Sequence, residues 1–219
     1  MWTASIRFHR AFHYHHIWNI VILRESISNF FKFCVFYPPL FLDEYKKPDS
    51  WYFSMMKCDL TNQVLENILQ FEKLTKLELG NSNFTQYTVY FHENVLPILE
   101  HLGNRLLDLR LEKFKFVDVS AIGEHCPKLQ KLKLSRILSF CNTDFCSKHS
   151  LLNLVELSIL NTIGCRITEE TLRLLLVSHH LHTIHLQFIT SITDQFLLSV
   201  VQDNPLDHLH SITLQQCHK

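Results

Sequence analysis

Glycine is scarce in this chain, with four among 219 residues. Loops that cradle phosphates wrap their backbone around the ligand on closely spaced glycines, so no nucleotide site is expected. Long apolar runs are missing too. The longest, Phe30 to Leu42, contains Lys32 and two prolines and falls short of the roughly 20 residues that a bilayer-crossing helix needs, so no membrane partner is expected. Net charge is also lacking: 21 Lys and Arg balance 21 Asp and Glu. There is no overall field to draw in nucleic acid or an anionic surface. The seven cysteines are odd in number and show none of the paired close spacings of a zinc module or a secreted disulfide framework. Free thiols fit a reducing compartment, cytoplasmic or nuclear, with Cys126 and Cys165 read as small buried hydrophobes.

Motifs for catalysis are equally thin. Fifteen histidines invite a metal or acid-base reading, above all His13, His15 and His16, or His179, His180 and His182. Neither cluster has the i, i+4 pair with a glutamate that hydrolytic zinc sites use, and exposed histidines are the expected form. No serine or cysteine sits in a recognisable nucleophile turn. The expectation is a protein that is not an enzyme and needs no cofactor.

Apolar matter is plentiful, at 47% of the chain with 12% aromatics, enough for a real core. It is arranged periodically. The pattern L-x-x-L-x-L recurs as Leu74-Leu77-Leu79, Leu106-Leu109-Leu111, Leu129-Leu132-Leu134, Leu154-Leu157-Ile159, Leu181-Ile184-Leu186 and Leu209-Ile212-Leu214, with a degenerate earlier copy read as Phe53-Met56-Cys58. Starts are separated by 21, 32, 23, 25, 27 and 28 residues, mostly within the 20 to 29 of leucine-rich repeats. Six copies in near-regular phase are far more specific than one.

Side chains alternate along a strand, so the fourth and sixth positions of each unit point inward and the third, fifth and seventh outward. Between strands the apolar spacing becomes helical, as in Val64, Leu65, Ile68 and Leu69, in Leu172, Leu175 and Leu176, and in Phe196, Leu197, Val200 and Val201. Thr61, Thr168 and Thr193 precede these segments as candidate caps, and Glu169, Glu170 and Asp194 lie where the helix dipole favours an acid. One strand with one helix cannot bury its own apolar face, so neighbours must stack. The expected fold is α/β: a leucine-rich-repeat solenoid over residues 53–219, with a curved parallel sheet on the concave face and helices on the convex face.

The turns narrow this further. Cys126-Pro127-Lys128-Leu129, Cys165-Arg166-Ile167-Thr168-Glu169 and Ile192-Thr193-Asp194 resemble the cysteine-containing repeats of F-box/LRR proteins. At the amino terminus, Phe8-His9-Arg10-Ala11-Phe12, then His16-Ile17-Trp18 and Ile20-Val21-Ile22, look like the closing part of an F-box. The opening Leu-Pro half has no counterpart here. The resemblance implies substrate recognition for a cullin-type (SCF) ubiquitin ligase, with Phe8, Phe12 and Trp18 toward the Skp adaptor. A second reading of residues 1–24 is an aromatic cap over the first repeat; Ile17-Ile20-Ile22 has the repeat's own spacing. Residues 25–52, with Pro38, Pro39 and Pro48, read as a helix and linker. Arg7, Arg10 and Arg24, with no acid before Glu25, are compatible with a mitochondrial presequence, so a ligase-independent scaffold or mitochondrial assembly factor is the alternative.

A protein substrate or peptide is the expected partner, bound on the outward strand positions: Lys76 and Glu78, Asp108 and Arg110, Lys131 and Lys133, Glu156 and Ser158, Thr183 and His185, Ser211 and Thr213. Arg110, Lys131, Lys133 and Arg136 form a local basic patch. It suits an acidic or phosphorylated segment, or else consists of solvated residues neutralised by Asp108, Glu112 and Glu156. The last strand is followed directly by Gln216 to Lys219 without a completing helix, from which a longer natural protein is expected.

Overall fold

The computed structural model describes residues 20–23, 52–58, 65, 68–69, 71–81, 90–141, 151–161 and 167–217. Alternating leucines and polar residues form short strands: β1 (Ile20–Leu23), β2 (Tyr52–Cys58), β3 (Lys76–Asn81), β4 (Asp108–Glu112), β5 (Phe116–Asp118), β6 (Lys131–Ser135), β7 (Ser139–Cys141), β8 (Glu156–Leu160), β9 (Thr183–Gln187) and β10 (Ser211–Gln215). Eight of them make one sheet in chain order, β1-β2-β3-β4-β6-β8-β9-β10, while β5 and β7 pair separately. Every pairing is parallel. Parallel neighbours cannot be joined by a hairpin, so each step needs a crossover, and consecutive crossovers build a solenoid.

The register is what stacks the leucines. Leu77, Leu109, Leu132, Leu157, Ile184 and Ile212 form one row, and Leu79, Leu111, Leu134, Ile159, Leu186 and Leu214 another. From β3 to β9 all ten of these side chains are at most 1% exposed. Complete burial of one such side chain contributes about 1.5–3 kcal/mol, so the rows supply much of the core. At β10 the same positions meet no further strand among the described residues, and Ile212 and Leu214 are 48% and 37% exposed.

The earliest repeat differs from its expected phase. Phe53 pairs with Leu77 and Met55 with Leu79, so Phe53 occupies the fourth position of its unit, not the first. Phe53-Met56-Cys58 is therefore the wrong triplet; tyrosine and serine at 52 and 54 carry the outward positions instead. Upstream, Val21 pairs with Phe53 and Leu23 with Met55. The fourth and sixth positions there fall on Val21 and Leu23, one residue after Ile20 and Ile22. This strand lies inside the segment 1–24 read as F-box-like or capping. The remainder of that segment, including Phe8, Phe12 and Trp18, and residues 25–51 of the helix and linker lie outside the described residues.

The outer layer is mixed. A π-helical turn, Phe91–Val95, continues into α1 (Leu96–Leu102); α2 (Val119–His125), α3 (Glu169–Leu176) and α4 (Asp194–Asp203) follow. The expected caps at Thr168 and Thr193 are present: their hydroxyls accept from the Thr171 and Phe196 amides at 3.2 and 3.1 Å. Asp118 caps α2 in the same way, from the Ala121 amide at 3.0 Å. Thr61 lies outside the described residues. Leu172, Leu175 and Leu176 are buried, as are Phe196 and Val200, but Val201 faces solvent at 49% exposure. On this side the strands β5 and β7 add a small sheet where helices alone were expected.

Just past β4, β6 and β9 the ladder runs on by one bond. The eighth-position amides of Lys113, Arg136 and Phe188 donate to the seventh-position carbonyls of Ser135, Leu160 and Gln215 in the next repeat, each at 2.9 Å. These three residues and Gln216 adopt φ between 53° and 62°, a left-handed conformation that costs a non-glycine residue about 1–2 kcal/mol. After β4, β6 and β9 this strained residue turns the chain out of the sheet, whereas Asn161, at the same place after β8, does without it.

Candidate functional site

The sheet's other face carries no covering layer among the described residues and holds the polar positions in rows. The third-position row is Tyr52, Lys76, Asp108, Lys131, Glu156, Thr183 and Ser211; the fifth is Ser54, Glu78, Arg110, Lys133, Ser158, His185 and Thr213. All twelve residues expected on this face are there, each half-buried or exposed. At about 4.8 Å per strand the face is roughly 34 Å across.

Tyr52 and Ser54 belong to it as well, and the misread phase of the first repeat is why they were missed. Tyr52 Oη and Ser54 Oγ both donate to Glu78 Oε2, at 2.9 and 2.8 Å. Lys76 Nζ lies 3.3 Å from Glu78 Oε1, 3.2 Å from Asp108 Oδ2 and 4.7 Å from the centre of the Tyr52 ring. Burial works against ionisation of Glu78, but the Ser54 and Tyr52 hydroxyls and the Lys76 ammonium outweigh it and hold its carboxyl below the ordinary 4.5. Burial likewise works against the Lys76 cation, yet hydrogen bonding and charge from Asp108 and Glu78 raise it above 10.5. This end of the face is self-satisfied.

The middle is not. Lys131 Nζ is 2.5 Å from Glu156 Oε1, so it is neutralised in place and drops out of the basic patch. Arg110 Nη2 bonds Glu112 Oε2 at 2.9 Å, and Arg136 Nη1 stands 4.0 Å from Glu112 Oε1. Lys133, between Arg110 and Ser158 in the fifth row, makes no ion pair with the described residues. Around it, Arg110 Nε, Ser135 Oγ and His185 Nε2 are shielded from solvent with no hydrogen-bond partner among the described residues. A desolvated, unsatisfied polar group costs about 1–3 kcal/mol, and these three lie on β4, β6 and β9, with β8 between the last two.

The histidines at the strand entries meet in pairs, His182 and His210 edge-on and His180 and His208 stacked. His182 and His210 have ring centres 5.0 Å apart, and His180 and His208 stack at 6.3 Å. All four rings are exposed. Among the described residues no group of three or more His, Cys, Asp or Glu side chains is placed to hold a metal. His13, His15 and His16 lie outside the described residues. No described helix is long and apolar enough to cross a membrane.

An internalin (inlF) from Listeria monocytogenes str. 4b F2365 matches with a TM-score of 0.50 at 15% identity, over 81% of this chain and 51% of the internalin. The architecture is a leucine-rich-repeat solenoid. The chain thus spans about half of that protein's length, and the likeness is one of fold. An internalin C2 (inlC2) from the same strain aligns over 74% of this chain and 79% of its own at 19% identity, with a TM-score of 0.40. No family model matches the chain, and no curated protein sequence does.

Proposed function

We propose that this chain is a non-enzymatic protein-binding module that docks a segment of a partner on the open face of its sheet. One observation carries the reading: twelve outward side chains from six strands lie in two continuous rows without a core duty. Inner rows hold the solenoid together, which leaves the outer rows free to vary their chemistry for a ligand. Among the described residues, no group of three or more His, Cys, Asp or Glu side chains suited to a metal is gathered there.

The cellular role that best accommodates this module is substrate selection for a cullin-type ubiquitin ligase, in the cytoplasm or nucleus. The cysteine-bearing turns at Cys126 and Cys165, and the F-box-like Phe8, Phe12 and Trp18, support it. Co-purification with the Skp adaptor tests this role: the natural chain should retain the adaptor and Phe8→Ala/Phe12→Ala/Trp18→Ala should lose it. Failure to retain it overturns the ligase role and leaves the docking module standing. Arg7, Arg10 and Arg24, without an acid before Glu25, favour the second reading, a mitochondrial assembly factor on the same repeat. Import accompanied by amino-terminal cleavage is its test.

A further inference from the structure

We infer that the middle of the open face is a receptor for side-chain carboxylates, so that the partner segment is acidic where it crosses β6. This deepens the docking reading above and rests on it. The argument starts from an asymmetry between the two rows. In the third row the cations have carboxylates at hand: Lys76 with Asp108 at 3.2 Å and Lys131 with Glu156 at 2.5 Å. That row presents alternating, cancelled charge and attracts neither sign.

The fifth row lacks such cancellation beyond Arg110. Arg110, Lys133, Ser158 and His185 follow one another on β4, β6, β8 and β9. Glu112 satisfies one guanidinium nitrogen of Arg110, at 2.9 Å, and leaves the enclosed Nε without an acceptor. Lys133 has three N–H donors and no carboxylate among the described residues. Ser135, two residues along the same strand and on the same face, is only 6% exposed, and its hydroxyl is unsatisfied. His185 Nε2 is likewise enclosed and unpartnered. The Arg110 Nε–H and the Lys133 ammonium can only donate and lack an acceptor, and the Ser135 hydroxyl and His185 ring beside them are polar groups without a partner among the described residues.

Geometry fits a peptide better than a single small ion. Four strands at about 4.8 Å place Arg110 and His185 some 14 Å apart, the length of roughly four extended residues. A segment laid across the strands puts one acid over Lys133, within reach of Arg110 or Ser135, and its next outward residue toward Ser158 and His185. Acidic Glu78, at the β3 end of the same row, repels a second acid there and sets the direction in which the charge must sit.

The test uses the full chain and a random octapeptide library displayed on phage. Peptides selected by the natural protein should be enriched in Asp and Glu about threefold or more over the library. Lys133→Glu should reverse the preference toward Lys and Arg, whereas Gln195→Glu, exposed on the outer helix α4 and away from this face, should keep the acidic choice. Fluorescence anisotropy with the best acidic peptide should show Lys133→Ala weakening binding about 10- to 100-fold, the range for a lost charge-assisted hydrogen bond. Circular dichroism should be unchanged, since Lys133 has no core role. Selected peptides without charge bias, or an acidic preference surviving Lys133→Glu, overturn the carboxylate receptor. If such unbiased peptides are still displaced by Thr183→Trp on the same face, docking stands and only the receptor falls; if no selected peptide depends on this face, both fall. A phosphoserine version binding more than tenfold tighter than the acidic peptide also overturns the carboxylate assignment.

Discussion

The side-chain amide of Asn204 donates to the carbonyl of Ser178 at 3.1 Å and, from the same nitrogen, to that of Leu176 at 2.8 Å. Ser178 in turn reaches back a further repeat, its hydroxyl 2.7 and 2.8 Å from the Leu152 and Leu154 carbonyls. Both residues are buried. Successive units of the solenoid are therefore stapled by single polar side chains that satisfy carbonyls in the turns leading into the strands.

Removing a staple leaves buried acceptors unpaired, at about 1–3 kcal/mol each time. Asn204→Ala and Ser178→Ala should each lower stability by roughly that amount, read as the shift in urea midpoint. An effect below about 0.5 kcal/mol for both would show that the carbonyls find other partners.

Two glycines should respond in opposite ways to alanine. A Cβ on Gly103 would stand 2.5 Å from the His125 carbonyl oxygen and 2.9 Å from Cys126 Sγ, whereas at Gly80 it would meet the mobile end of Met56 at 2.8 Å. Backbone cannot yield as a thioether can. Gly103→Ala should destabilise by about 1–3 kcal/mol through overpacking, and Gly80→Ala by less than about 1 kcal/mol. Thermal unfolding of the two variants side by side decides it; equal melting temperatures contradict the close approach.

Acid sensitivity should centre on Glu78. Its folded carboxyl titrates below 4.5, so the stabilisation it supplies is complete above that value and disappears as pH falls through the lowered one. The natural protein should lose stability faster than Glu78→Gln on going from pH 5 to pH 3. Parallel curves of urea midpoint against pH would assign the acid limb elsewhere.

Thiol chemistry should separate the cysteines. Burial pushes the Cys126 thiol up to about 12, and the side chain has no exposure. Thiolate is the reacting form, so at pH 8 alkylation of Cys126 should proceed only as fast as the protein unfolds. Half-exposed Cys141, raised by burial and by Asp118, should still be alkylated earlier in site-resolved mass spectrometry. Rapid labelling of Cys126 in the folded state would contradict the packing.

Truncation within a leucine row should cost more than any surface change. Leu132→Ala, in the middle of the fourth-position row and 1% exposed, should destabilise by about 2–5 kcal/mol. Ile212→Ala, at 48% exposure on β10, should cost less than half as much.

The sequence by itself determined the repeat, its strands and its core rows, because period-two alternation and a hydrophobic triplet are local signals that each unit carries alone. It also determined the caps at Thr168 and Thr193, where one hydroxyl and the next turn suffice. The phase of the first repeat was decided only by tertiary pairing: Phe53 has apolar neighbours on either reading, and only the backbone bonds to β3 put it opposite Leu77. The candidate site divides in the same way. Alternation alone places Lys131 and Lys133 on one face, yet which is cancelled depends on Glu156, which stands 25 residues from Lys131 in sequence and 2.5 Å away in space. Charge pairing acts across strands, and no window of sequence shorter than a repeat contains it.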